Sequence, residues 1–161
     1  MSFNDIFEEI KNSPDKHPRG CEDYKRIESK LLEIVNKSGF VSGGSGNNSF
    51  GPFGEISLPY FKMGAIDSLD LFGLDEMIIF SYYYNNKNKY KKVSDLGANI
   101  GLHSILMSKS GYQVEAYEPD PTHIEMLEKN FKLNSIDLVN LNQVAVSDVD
   151  HKAKFVRVLG N

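Results

Sequence analysis

Apolar residues recur at helical spacing at the start of the chain, where Phe3, Ile6, Phe7 and Ile10 follow Ser2, with Asp5 placed to complete a capping box. This predicts a short amphipathic helix, broken by Pro14 and Pro18. A second helix is predicted from about Glu22 to Lys37, with Tyr24, Ile27, Leu31, Ile34 and Val35 on one face and Gly39 beyond its end. From Ser42 to Gly54 the periodicity disappears, and five glycines in thirteen residues predict a flexible linker or mobile lid. No Lys-Ser/Thr pair lies beside those glycines to make a phosphate loop. Ile56 to Phe61 reads as a short strand. Leu69 to Tyr84 reads as a helix whose terminal Tyr82, Tyr83 and Tyr84 suit core packing or a pocket wall better than base stacking.

The pattern then changes to an alternation. Lys92 to Leu96 reads as a strand, Ile100 to Ser110 as a helix closed by Gly111, and Gln113 to Tyr117 as a strand. Pro121 to Leu133 follows as a helix capped by Asp120, and Val139 to Val146 as a third strand. Strands and helices in this order with short connections predict right-handed crossover units in one parallel sheet. A final strand is expected over Lys152 to Leu159, although its alternation slips at Val156. The fold class is therefore α/β. The expected organisation is a helical appendage over residues 1–41, a glycine-rich linker over 42–54 and a partial Rossmann-like domain over 55–161.

Composition narrows the partners. The 161 residues carry a net charge of -4, with 25% charged and 40% hydrophobic residues, which gives no general attraction for nucleic acid or anionic membrane. No apolar run approaches the roughly 20 residues of a membrane span. One cysteine and few histidines in ligand spacing argue against disulfides and structural metal, so a cytoplasmic setting is expected.

In an open parallel sheet, ligands collect beyond the carboxyl ends of the strands. Asp95-Leu96-Gly97-Ala98-Asn99-Ile100-Gly101 stands at that position. Gly97 and Gly101 remove side chains where backbone must approach a ligand or a neighbouring helix. A dinucleotide loop would place glycine where Asn99 stands, and a diphosphate would be repelled by Asp95. Asp95 instead suits an ammonium group, as on a ligand with an amino-acid tail. The Asn99 amide tolerates a left-handed backbone or can bond a carboxylate. Glu118 ends the second strand about twenty residues on, the spacing at which an acid takes a ribose hydroxyl pair. Gln143, Val144 and Ala145 on the third strand would reach an adenine ring. Ala145 occupies the position where many adenosyl sites place an acid, leaving backbone groups to read the amine. Asp148 suits a turn.

Four segments, Val93 to Gly101, Ala116-Tyr-Glu-Pro-Asp-Pro121, Leu127 to Asn134 and Val144-Ala-Val-Ser-Asp148, together resemble the successive motifs of the FkbM-like methyltransferases. The resemblance covers roughly Asp70 to Asn161. It implies S-adenosylmethionine as cofactor, with contacts at Gly97, Ala98, Asn99, Gly101 and Glu118; Asp95 and Pro119 stand beside these as further cofactor-binding candidates. It also implies a small-molecule methyl acceptor, often the hydroxyl of a sugar or similar compound. Members of that family run on through a fourth strand to a motif like Lys-x-Asp-x-Glu-Gly, whereas this chain ends at Asn161. An apolar first strand would then lie at a sheet edge, so pairing with another chain or with a further carboxy-terminal half is expected. Tyr82, Tyr83, His103 and Asp120 are imaginable bases, and none is assigned. A noncatalytic assembly protein retaining the fold is the alternative. An NAD-dependent oxidoreductase is disfavoured by Asp95 and Asn99.

Overall fold

A computed structural model describes residues 1–12, 18–137 and 139–156, which form two compact units, Met1–Asn85 and Asn86–Asn161. In the first unit, α1 (Phe3–Lys11) begins with the expected capping box, in which the Ser2 side chain accepts from the Asp5 N–H and Asp5 accepts in return. Helix α2 spans Glu22–Asn36. Two small antiparallel pairs follow, β1 (Asn47–Ser49) with β2 (Glu55–Ser57) and β3 (Lys62–Met63) with β4 (Ile66–Asp67). A 3₁₀ turn at Ser68–Phe72 leads into α3 (Leu74–Asn85).

Aromatic side chains dominate the interior of this unit. Phe3, Phe7, Phe40, Phe50, Phe53, Phe72 and Phe80 are all buried, and the Phe40 and Phe72 rings stack with centroids 4.4 Å apart. Tyr83 and Tyr84 pack against Phe80 and Phe53, while Tyr82 is exposed.

The segment expected as a linker belongs to this core. Residues 42–54 contain β1 and a 3₁₀ turn at Gly51–Phe53, and they carry Phe50 and Phe53 inward. Four of the glycines adopt left-handed backbone, so the chain turns sharply at fixed points. Local glycine content predicts freedom, but the burial of two phenylalanines overrides it. The division consequently falls after Asn85 and not at Gly54.

The second unit consists of β5 (Lys92–Leu96), α4 (Leu102–Lys109), β6 (Gln113–Tyr117), α5 (Pro121–Leu133) and β7 (Asn140–Asn142). The strands form one parallel sheet in the order β5-β6-β7, with Asp95 opposite Ala116 and Ala116 opposite Leu141. Ala98, Ile105, Ala116, Leu127 and Phe131 make the core beneath the helices, with Ile136, Val139 and Leu141 packed against it. The other sheet face carries Lys92, Ser94, Gln113, Glu115 and Asn140, all exposed. Parallel sheets are commonly covered on both faces; this outer face is mostly polar, with Leu96 exposed at its carboxyl end.

In the first unit, the helix expected over Leu69 to Tyr84 begins only at Leu74, behind the 3₁₀ turn, and the strand expected over Ile56 to Phe61 is confined to Glu55–Ser57. In the second unit three expected boundaries change. Helix α4 starts at Leu102 because Gly101 is left-handed and cannot continue a right-handed helix. Strand β7 ends at Asn142, where the Val144 N–H turns back to the Asn142 carbonyl at 2.9 Å and takes Val144 to Val146 out of the ladder. The expected final strand is absent from residues 152–156, where Phe155 and Val156 are exposed with no ladder partner. Arg157, Val158 and Leu159 lie outside the described residues.

Candidate functional site

The site is built where β5 and β6 end. The N–H groups of Gly97 and Ala98 both donate to the Tyr117 carbonyl, at 2.9 and 3.0 Å, so the loop leaving β5 folds back across the tip of β6. Gly101 N–H then donates to Ala98 carbonyl at 2.8 Å and closes the turn before α4. At Asn99 the backbone is left-handed, with φ of 51°, the conformation anticipated for an asparagine there.

Glu118 fastens this loop. Its side chain is buried, Oε2 accepts the Asn99 N–H at 2.9 Å and Oε1 accepts the Asp120 N–H at 2.9 Å. One carboxylate thus ties the glycine loop to the first turn of α5. Two N–H donors on a buried carboxylate satisfy much of the hydration it loses. Asp120 caps α5 through the Thr122 N–H at 2.8 Å. His123 lies alongside, with Nδ1 3.7 Å from Glu118 Oε1 and Nε2 3.9 Å from Asp120 Oδ2.

Gly97 and Gly101 do different work. A Cβ on Gly101 would come within 3.0 Å of both Leu127 and Phe131, so that glycine lets α5 pack on the loop. A Cβ on Gly97 would meet nothing within 4 Å. Gly97 instead borders an open cavity of about 340 Å³, lined also by Leu96, Tyr117, Pro119, Val144, Ala145 and Val146. That volume lies at the lower end of the roughly 300–1,000 Å³ of ligand pockets. The lining is mostly apolar and suits the faces of a flat ring. The Glu115 carboxylate beside Tyr117 holds its phenol above the ordinary value, with a 3.3 Å hydrogen bond between them.

Of the residues singled out from the sequence, Gly97, Pro119, Val144 and Ala145 line this cavity. Gln143 does not, and Ala98 turns into the core beneath the helices. Asn99 has its N–H on Glu118 and its Oδ1 buried without a hydrogen-bond partner. Asp95 is half-buried at the end of β5 and accepts from Ser104 Oγ at 2.6 Å. His103 is half-buried, and Asp148 is exposed with the Ser147 hydroxyl on it at 3.1 Å.

No family model and no curated protein sequence matches the chain. Among solved structures, the chain is similar to a SAM-dependent methyltransferase from Agrobacterium tumefaciens, at 15% identity and a TM-score of 0.41. The likeness covers 44% of this chain and 24% of the other, so the chain spans about a quarter of that protein's length.

Sequence reasoning passed over Ser104 and Asn130. Both are fully buried, and Asn130 Nδ2 donates to the Ile100 carbonyl at 2.8 Å, bracing the loop from α5. A signal existed for each. Asn130 occupies a core position between Leu127 and Phe131, and Ser104 interrupts the apolar run of α4, so each needed a polar partner.

Among the described residues, no cluster of His, Cys, Asp and Glu could hold a metal ion, and no helix is long and apolar enough to cross a membrane.

Proposed function

We propose that this chain forms the cofactor-binding part of an FkbM-like, S-adenosylmethionine-dependent methyltransferase that methylates a hydroxyl of a sugar or other small compound. The observation that supports this most is the clasp between Glu118 and the Asn99 N–H, beside an open, mostly apolar cavity at the carboxyl ends of parallel strands. The residues suit the cofactor. Gly97 leaves its Cβ position open, Pro119, Tyr117, Val144 and Ala145 offer apolar walls, and Glu118 keeps further lone pairs for ribose hydroxyls. Asp95 offers a carboxylate for the ammonium of the amino-acid arm.

Bound S-adenosylmethionine supplies an electrophilic methyl group on a sulfonium. This chain's residues hold and orient that group and restrict water on its apolar side, which are the main contributions an enzyme makes to an in-line displacement. Acceptor-side residues, including a base for the hydroxyl proton, are assigned to a further strand and its flanking chain. That strand would pair with the outer edge of β5, which among the described residues has β6 on one side only.

Calorimetric titration with S-adenosylhomocysteine tests the reading. The wild-type chain is expected to bind, and Glu118→Ala is expected to lose at least about tenfold in affinity, roughly one charge-assisted hydrogen bond. A folded wild-type sample that gives no heat overturns it, and binding of NAD in its place returns the dehydrogenase reading.

A further inference from the structure

Asp95 is the carboxylate nearest the start of the glycine loop, and its environment is unusual for a half-buried charge. Among the described residues no Lys or Arg pairs with it, and its one hydrogen bond comes from Ser104 Oγ at 2.6 Å. That length is at the short end of the range for a hydroxyl donating to an oxygen. The bond occupies Oδ2 and leaves Oδ1 for something else. A partly desolvated carboxylate without a cationic partner suits a ligand that brings the cation.

The Ser104 side of the bond carries the argument further. A serine inside a helix commonly returns its hydroxyl to the carbonyl four residues back, here Ile100. That carbonyl already accepts from Asn130 Nδ2 at 2.8 Å, and Ser104 reaches across to β5 instead. Ser104 has no exposed surface, so water cannot replace the contact. The Ser104 bond to Asp95 therefore ties α4 to the end of β5, while the Asn130 bond to Ile100 ties the loop between them to α5. A carboxylate held in one rotamer meets its ligand without the entropy cost of ordering a free side chain.

We propose that Ser104 is a positioning residue that acts through Asp95 on the amino-acid arm of the cofactor, selecting ligands that carry that arm over those that have only the adenosine. The inference rests on the methyltransferase reading above. The site would then distinguish S-adenosylmethionine and S-adenosylhomocysteine from 5′-methylthioadenosine by a charge contact that Ser104 keeps in register.

The test is titration of four proteins, wild type, Ser104→Ala, Asp95→Ala and the double variant, each with S-adenosylhomocysteine and with 5′-methylthioadenosine. Ser104→Ala is expected to weaken S-adenosylhomocysteine about tenfold and to change 5′-methylthioadenosine by less than about twofold, because only the first ligand has the ammonium. In the double variant the Ser104 change is expected to add nothing to the loss caused by Asp95→Ala, the pattern of two residues acting through one contact. Equal losses for both ligands, no loss for either, or additive losses in the double variant would each overturn the positioning role. A wild-type protein that binds neither ligand removes the methyltransferase reading itself, an outcome separate from those three.

Discussion

At the scale of single residues, the two loop glycines share a left-handed backbone, with φ of 80° at Gly97 and 89° at Gly101, but substitution should harm them differently. Alanine in that conformation costs about 1–2 kcal/mol. Gly101→Ala also drives a methyl against Leu127 and Phe131, adding about 1–3 kcal/mol of overpacking. Urea denaturation is expected to show the larger loss for Gly101→Ala. Gly97→Ala is expected to pay the backbone term alone, yet to reduce S-adenosylhomocysteine affinity more, since its methyl enters the cavity. Equal stability losses would count against the packing role of Gly101. The placement of these glycines, and of Asp95 and Glu118, beside the strand ends was legible because each is a residue type at a fixed distance from a strand end. Their contacts were less legible: Glu118 holds the loop, and Ser104 meets Asp95 only because α4 begins at Leu102.

At the scale of elements, legibility followed how far a signal was local. The Ser2 capping box, the Asp120-Pro121 start of α5 and the bounds of β5 and β6 are decided within a few residues, and the structure has them where the pattern put them. The length of β7 and the burial of residues 42–54 depend on distant partners, and there the pattern misled. Contacts of this second kind also contribute to the pH response of the first unit. Asp75, in the first turn of α3, accepts from the Arg19 guanidinium, with Arg19 Nε at 2.7 Å, and from Tyr24 Oη at 2.8 Å. Arg19 foremost, and then Tyr24, holds its carboxyl below the ordinary value. A pKa lower in the folded than in the unfolded chain stabilises above the unfolded value of about 3.9 and is lost as pH falls through the folded one. The urea midpoint is therefore expected to fall between about pH 5 and pH 2. Asp75→Asn is expected to lower the midpoint at neutral pH and to flatten that part of the acid profile. The shift is small, because Asp75 and especially Arg19 are solvent-exposed and screened. An unchanged acid profile in Asp75→Asn would remove this pair as its source.

At the scale of the whole molecule, the α/β class was legible from the order of strand and helix alone, because crossover connections allow few arrangements. The position of the division was not, because nothing local distinguishes a glycine segment that links from one that packs. The second unit has a small apolar cluster running from Ala98 and Ile105 through Ala116 to Leu127 and Phe131, so the loop, the middle strand and both helices share their stability. A ligand at the loop should therefore stabilise the unit as a body. At free S-adenosylhomocysteine about a hundredfold above its dissociation constant, linkage gives about 2.7 kcal/mol. Hydrogen exchange is expected to slow by a similar factor in β6 and in the Leu127–Phe131 turn of α5, distant in sequence from the loop, as well as in Gly97 to Gly101. Protection confined to Gly97 to Gly101 would mean that the loop closes on its ligand without help from α5. In that case the Asn130 and Glu118 contacts would hold the resting loop but would not transmit binding.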